Sequence, residues 1–124
     1  MKHTIVLFLS ILIFTTCDRA RCVNYIILNS TDGIIKVIIE ERFKENVFDT
    51  QFISPMNKMN LYTDSGISAS IAGVDTIDMF RSLQIFNSMG SKYNKDPLNI
   101  KSWQLYSKRD EDTAELDIKA EDFK

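Results

Sequence analysis

The residues that could do chemistry are few, and their spacing limits them. Cys17 and Cys22 are the only thiols. They lack the Cys-x-x-Cys spacing of a redox pair and have no partner base, but they suit a small disulfide loop in an oxidising compartment. Asp64, Asp75 and Asp78 carry the oxygen ligands that a hard cation takes. Their spacing is not that of a compact calcium loop, and turn and helix-cap roles account for them. Asp110, Glu111 and Asp112 beside Lys108 and Arg109 have the mixed charge of a solvated hairpin tip. Paired carboxylates for glycoside hydrolysis need a cleft and two unlike environments, which a small, short-looped domain supplies only with difficulty. Asn29-Ser30-Thr31 satisfies the N-glycosylation pattern, and a turn role explains the triplet fully.

Trp103 and Tyr106 are the side chains best suited to ligand contact, because exposed aromatics stack on sugars or anchor protein interfaces. On a regular strand, positions 103 and 105 share one face and 104 and 106 the other. One aromatic then faces outward unless both faces are covered. The simplest arrangement has Trp103 in the core beside Leu105, with Tyr106 on a partly covered face.

The start of the chain says where such residues would work. Lys2 precedes an apolar run over residues 5–14, broken only by Ser10 and followed by Thr15, Thr16 and Cys17. This is the tripartite pattern of a secretory leader. A membrane-spanning helix needs about 20 apolar residues, and this run is roughly half as long, so residues 1–16 read as a cleaved signal peptide. The next most apolar run, residues 34–39, contains Lys36 and stops at Glu40 and Glu41, so the mature chain is expected to be soluble apart from any anchor.

Removal of the leader leaves roughly 105 residues, enough for one domain. It also takes away Lys2, leaving fourteen Lys and Arg against seventeen Asp and Glu, a formal charge of −3. A mildly acidic chain is a poor generic partner for nucleic acid. His3, the single histidine, leaves with the leader. Histidine-dependent triads, dyads and zinc sites are thereby excluded from the mature domain. No catalytic residue, metal ligand or cofactor is expected.

Period-two patterning dominates the rest. Residues 23–28 are rich in branched and aromatic side chains and read as a strand, residues 29–33 as a polar turn and residues 34–39 as a second strand, together a hairpin candidate. Residues 46–53 form a weaker strand ended by Ser54 and Pro55, and residues 60–63 a short one before a loop of small residues over 64–74. Asp75 is placed as the N-cap of a short helical turn, followed by a strand over 82–86, a tight turn at 87–90 with Gly90 supplying positive φ, and a short strand over 92–94. Residues 102–107 make an aromatic strand. Residues 113–119 alternate Ala114, Leu116 and Ile118 with Thr113, Glu115, Asp117 and Lys119, which implies one buried and one wet face. About seven short strands with turn signals between them predict an all-β, antiparallel sandwich or barrel.

Two resemblances add to this. Cys17 behind Phe14, Thr15 and Thr16 resembles the lipobox of bacterial lipoproteins, although a strict lipobox has Leu in place of Phe14 and Gly or Ala in place of Thr16. The match implies a diacylated Cys17 at the head of a tether over residues 17–22; the disulfide with Cys22 remains the alternative. The mature chain also resembles a group of small Bacteroidetes lipoproteins that carries no established activity. The shared features are Cys17, Asn29-Ser30-Thr31, Asp75-Thr76-Ile77, Asp96-Pro97-Leu98-Asn99, the aromatic strand from Trp103 to Tyr106, and Glu121-Asp122-Phe123. This resemblance implies an immunoglobulin-like or related β-sandwich over residues 23–124 in the bacterial cell envelope, periplasmic or surface-exposed and membrane-anchored. The expected role is a non-enzymatic binding or accessory protein with envelope protein partners. The alternative is a carbohydrate-binding module using Trp103 and Tyr106.

Overall fold

The computed structural model describes residues 21–66 and 76–124. The signal peptide, Cys17 and the Asp75 cap lie outside the described residues. Seven strands are present among them: β1 (Arg21–Asn29), β2 (Ile35–Glu41), β3 (Phe48–Ile53), β4 (Lys58–Gly66), β5 (Phe80–Phe86), β6 (Gln104–Ser107) and β7 (Glu111–Ile118). They form a four-stranded sheet in the order β4-β1-β7-β6 and a three-stranded sheet in the order β3-β2-β5. The molecule is the all-β sandwich that the alternation predicts, with a core filled from both walls.

That core follows directly from the two-residue period. Val23, Tyr25 and Ile27 of β1 and Ala114, Leu116 and Ile118 of β7 are all buried, as are Ile35, Val37 and Ile39 of β2 and Leu83 and Ile85 of β5. Each strand turns its other parity outward. On the four-stranded sheet that outer parity carries half-buried Ile26 and Leu28 among polar side chains that bond one another: the Thr63 hydroxyl donates to Asn24 Oδ1 at 2.8 Å, the Asn24 amide donates to Glu111, and Lys58 pairs with Glu115 at 2.9 Å.

The ladders are antiparallel with one exception, β1 on β7, where Cys22 stands opposite Glu111 and Asn29 opposite Ile118. Parallel neighbours require a long connection, and the whole intervening chain supplies it. The expected β1–β2 hairpin does not form, since the two strands belong to different sheets. Asn29 explains why. It is fully buried, and its amide donates to the carbonyls of Gly33 and Ile53, both at 2.8 Å. Its Oδ1 accepts from the Thr31 backbone N–H at 3.0 Å and the Thr31 hydroxyl at 2.6 Å. The polar residues 29–33 are thus a corner that carries the chain across the sandwich.

Other local expectations shift for identifiable reasons. Residues 77–79 are not helical; Thr76 bridges Asn99, and the Ile77 N–H donates to the Leu98 carbonyl at 2.8 Å. β4 runs on to Gly66, into the segment expected to be a loop. Residues 92–94 contribute only the bridge Phe86–Lys92. The aromatic strand starts at Gln104, because residues 100–102 form a 3₁₀ turn capped by Asn99, whose side chain accepts from the Lys101 N–H. The turn at 87–90 is as expected, with Gly90 at φ 83°. Among the described residues no helix is long and apolar enough to cross a membrane.

Candidate functional site

Trp103 caps the 3₁₀ turn rather than lying in the strand, so the strand's alternation does not place it. It is buried, and its indole Nε1 donates to the Pro97 carbonyl at 2.7 Å. Its ring meets Tyr25 edge-on at 6.2 Å, and Tyr25 meets Phe80 in the same way at 5.8 Å. Burial, with Asp64 and Asp78 adding to it, pushes the Tyr25 hydroxyl up to about 12. Trp103 is therefore a core aromatic. Tyr106 is 45 % exposed on β6, and Leu105 beside it, expected in the core, is 46 % exposed. The two candidate contact residues are not brought together, and a sugar-stacking surface would rest on Tyr106 alone.

The other candidates occupy structural positions. Asn29, the sequon asparagine, is sealed in the corner. Asp78 pairs with Arg42 at 3.1 Å, Asp64 stands opposite Val23 on β4, and no group of three or more His, Cys, Asp or Glu able to hold a metal occurs among the described residues. Asp112 is buried and accepts from the Ser107 hydroxyl. Cys22 is a half-buried free thiol, with Cys17 outside the described residues.

The surface that does stand out lies on the outer face of the three-stranded sheet. Seven of the nine large hydrophobic side chains exposed among the described residues sit on that sheet or on the segments entering and leaving its strands: Ile34, Phe43, Val47, Phe48, Phe52, Met56 and Met89. Exposed apolar side chains are ordinary when scattered and informative when gathered. Of the seven, Phe48 and Phe52 lie on β3, where the pleat turns both to one face, and the other five lie on the adjoining segments. Lys36, near the start of the central strand β2, stands opposite Phe52 on β3 and Phe86 on β5, so one row across the sheet reads Phe, Lys, Phe. The Lys36 ammonium lies over the Phe86 ring, 5.2 Å from its centre, a cation–π contact.

An open groove of about 370 Å³ lies at this row, lined by Lys36, Phe52 and Phe86 and, just beyond the strand ends, by Ile34, Asn87 and Ser88. Its wall is firmly held. Asn87 Oδ1 accepts from the N–H groups of Met89 and Ser91 at 3.1 and 2.8 Å, and the Gly33 backbone of the corner packs so close to Ser88 that a Cβ there would come within 2.8 Å of its hydroxyl. Apolar floor, one cation and a polar rim suit an apolar side chain that carries a carbonyl or carboxylate. A second groove, bordered by Lys95, Lys101, Glu115 and Asp122, is polar, and its charges are partly spent on each other through Lys95–Asp122 and Lys58–Glu115.

Sequence reasoning missed this face, although a signal was there. Residues 34–39 carry apolar side chains on both parities, with Ile34 and Ile38 sharing the parity opposite to Ile35, Val37 and Ile39, and Phe48 and Phe52 share one face of β3. A strand apolar on both sides has either a second cover or an exposed apolar face. No family model matches the chain, and neither a curated protein nor a solved structure matches it.

Proposed function

We propose that this chain is a non-enzymatic binding or accessory protein of the bacterial cell envelope, held to a membrane through a lipid on Cys17, and that it receives a protein partner on the outer face of its three-stranded sheet. The observation that carries the binding reading is the Phe52–Lys36–Phe86 row and the groove along it. The four-stranded wall carries a network of bonded polar side chains, whereas the three-stranded wall leaves Phe48 and Phe52 more than half exposed, with Ile34, Met56 and Met89 exposed on the segments that adjoin its strands. An interface core enriched in aromatic side chains and methionine, with a polar rim, has this composition. The envelope assignment rests on the leader and the lipobox-like cysteine.

The test is in-cell photocrosslinking from Ile34, with Phe86→Asp as the disrupting variant and Tyr106→Ala as the control. A defined adduct that disappears with Phe86→Asp and persists with Tyr106→Ala supports the reading. Adducts insensitive to Phe86→Asp, or lost only with Tyr106→Ala, overturn it and move attention to the β6 edge.

A further inference from the structure

Each sheet has two edge strands, and three of these four edges are blunted. The β5 edge is met by Lys92 and Tyr93, whose N–H donates to the Ile85 carbonyl at 2.8 Å. β6 is four residues long. β4 carries Lys58 and a break in register opposite Tyr25 and Ile26. β3 has none of these devices: its six residues contain no Lys, Arg or Pro, and its pairing with β2 runs without a shift. Among the described residues no backbone group from outside the β2–β3 ladder bonds it, and the Asn29 amide reaches only the Ile53 carbonyl at its end. A regular, unprotected edge is a template for another strand.

The sequence of that edge says which strand. Phe48-Asp49-Thr50-Gln51-Phe52 reads nearly the same in both directions about Thr50. In an antiparallel pairing of β3 with its own copy, centred on Thr50, Phe48 stands opposite Phe52 of the second copy and Phe52 opposite its Phe48. Asp49 stands opposite Gln51, carboxylate against amide, on both sides of the axis, and Thr50 faces itself. All five positions find a compatible partner, with no like charges opposed. Phe48 and Phe52 are 57 % and 62 % exposed and would cover each other on the outer face. Asp49 and Gln51 already show the needed chemistry within one chain, where the Gln51 amide donates to the Asp49 carboxylate at 2.8 Å.

We propose that β3 pairs with β3 of a second copy of this chain about a two-fold axis at Thr50, joining two three-stranded sheets into one of six strands. The contact is isologous, so it closes as a dimer. The inference rests on reading this face as an association surface, and it names the partner at its edge; of the side chains that line the groove only Phe52 lies on β3, and Ile34, Lys36 and Phe86 lie off the paired strand.

Sedimentation velocity and native mass spectrometry of the purified full chain test it. The wild-type chain is expected to dimerise. Thr50→Lys and Thr50→Glu, each placing like charges face to face on an exposed position, are expected to lose the dimer, and an equimolar mixture of the two to regain it as a heterodimer. A monomeric wild type overturns the proposal, as does a dimer that survives both substitutions or a mixture that stays monomeric. Should a charge at this position prevent folding, Thr50→Cys reads the same contact: it should give a disulfide-linked dimer on oxidation, while Gln84→Cys on β5 should not, and failure of the Thr50→Cys chain to cross-link overturns the register. These experiments contain only this chain, so their failure leaves the photocrosslinking from Ile34 untouched, and a silent groove leaves the dimer untouched.

Discussion

The side-chain amide of Asn29, at the end of β1, donates to the main-chain carbonyl of Ile53, at the end of β3, at 2.8 Å, and this bond fastens one sheet of the sandwich to the other. The same amide reaches Gly33, and its oxygen takes two donors from Thr31. All of this happens at a side chain with no exposure to solvent.

Asn29→Ala should therefore cost about 3 kcal/mol, because it leaves buried carbonyls and an N–H without partners. Urea unfolding followed by circular dichroism checks this. A loss under about 0.5 kcal/mol, the level of a surface substitution, would show that the corner holds without its asparagine.

Trp103→Ala should act on the whole fold. Loss of a buried Trp costs about 3–5 kcal/mol, and the Pro97 carbonyl loses its indole donor. Thermal unfolding should shift down strongly, whereas Tyr106→Ala, on an exposed edge, should stay within about 0.5 kcal/mol of wild type. Equal effects at the two positions would contradict the placement of Trp103.

Much of the architecture is legible in the alternation of Val23, Tyr25 and Ile27 and of Ala114, Leu116 and Ile118, because a half-buried strand needs that pattern and nothing else. The β1–β2 relation is not legible. A five-residue polar connector suits a hairpin and a corner alike, and what decides is the reach of the Asn29 amide to a carbonyl 24 residues further along. Trp103 is buried as expected but not through strand parity, and Leu105, expected beside it, is exposed: the Asn99 cap draws residues 100–102 into a turn, and the strand begins one residue after the tryptophan. The row at Lys36 needs the register of three strands, two of them separated by a long stretch of chain.

Alkaline pH should weaken the fold through Tyr25. Its folded hydroxyl titrates near 12 against an ordinary 10.0, so the folded state holds a proton that the unfolded state releases first. This contribution is intact below pH ~10 and is lost as pH rises through ~12. Tyr93 is raised in the same direction by burial and by Asp122. Stability of the wild type should fall across that window more steeply than that of Tyr25→Phe, as measured by denaturant midpoints; parallel curves would count against the buried phenol.

Phe52→Ser should leave stability within about 0.5 kcal/mol of wild type while reducing the binding of an apolar fluorescent dye to the folded chain. Unchanged dye fluorescence would mean that the outer face of the three-stranded sheet is not the main apolar surface in solution.

Mass spectrometry of the mature N-terminus should find a diacylglyceryl group on Cys17. A free thiol at Cys17, or a disulfide to Cys22, would remove the lipid anchor from the proposed function and leave the sandwich as it stands.

The parallel pairing of β1 with β7 has a consequence in time as well as in space. Asn24 and its partner Glu111 are 87 residues apart, so the strand that enters the sheet early acquires one of its two neighbours only when nearly the whole chain is present. Ladders of such high sequence separation form slowly, since the loop must close before the contact rewards it. A chain threaded N-terminus first through a membrane would emerge with β1 half-partnered and open to strangers. Under the proposed export that edge would stay open until β7 arrives, and the C-terminal strand would complete the four-stranded sheet.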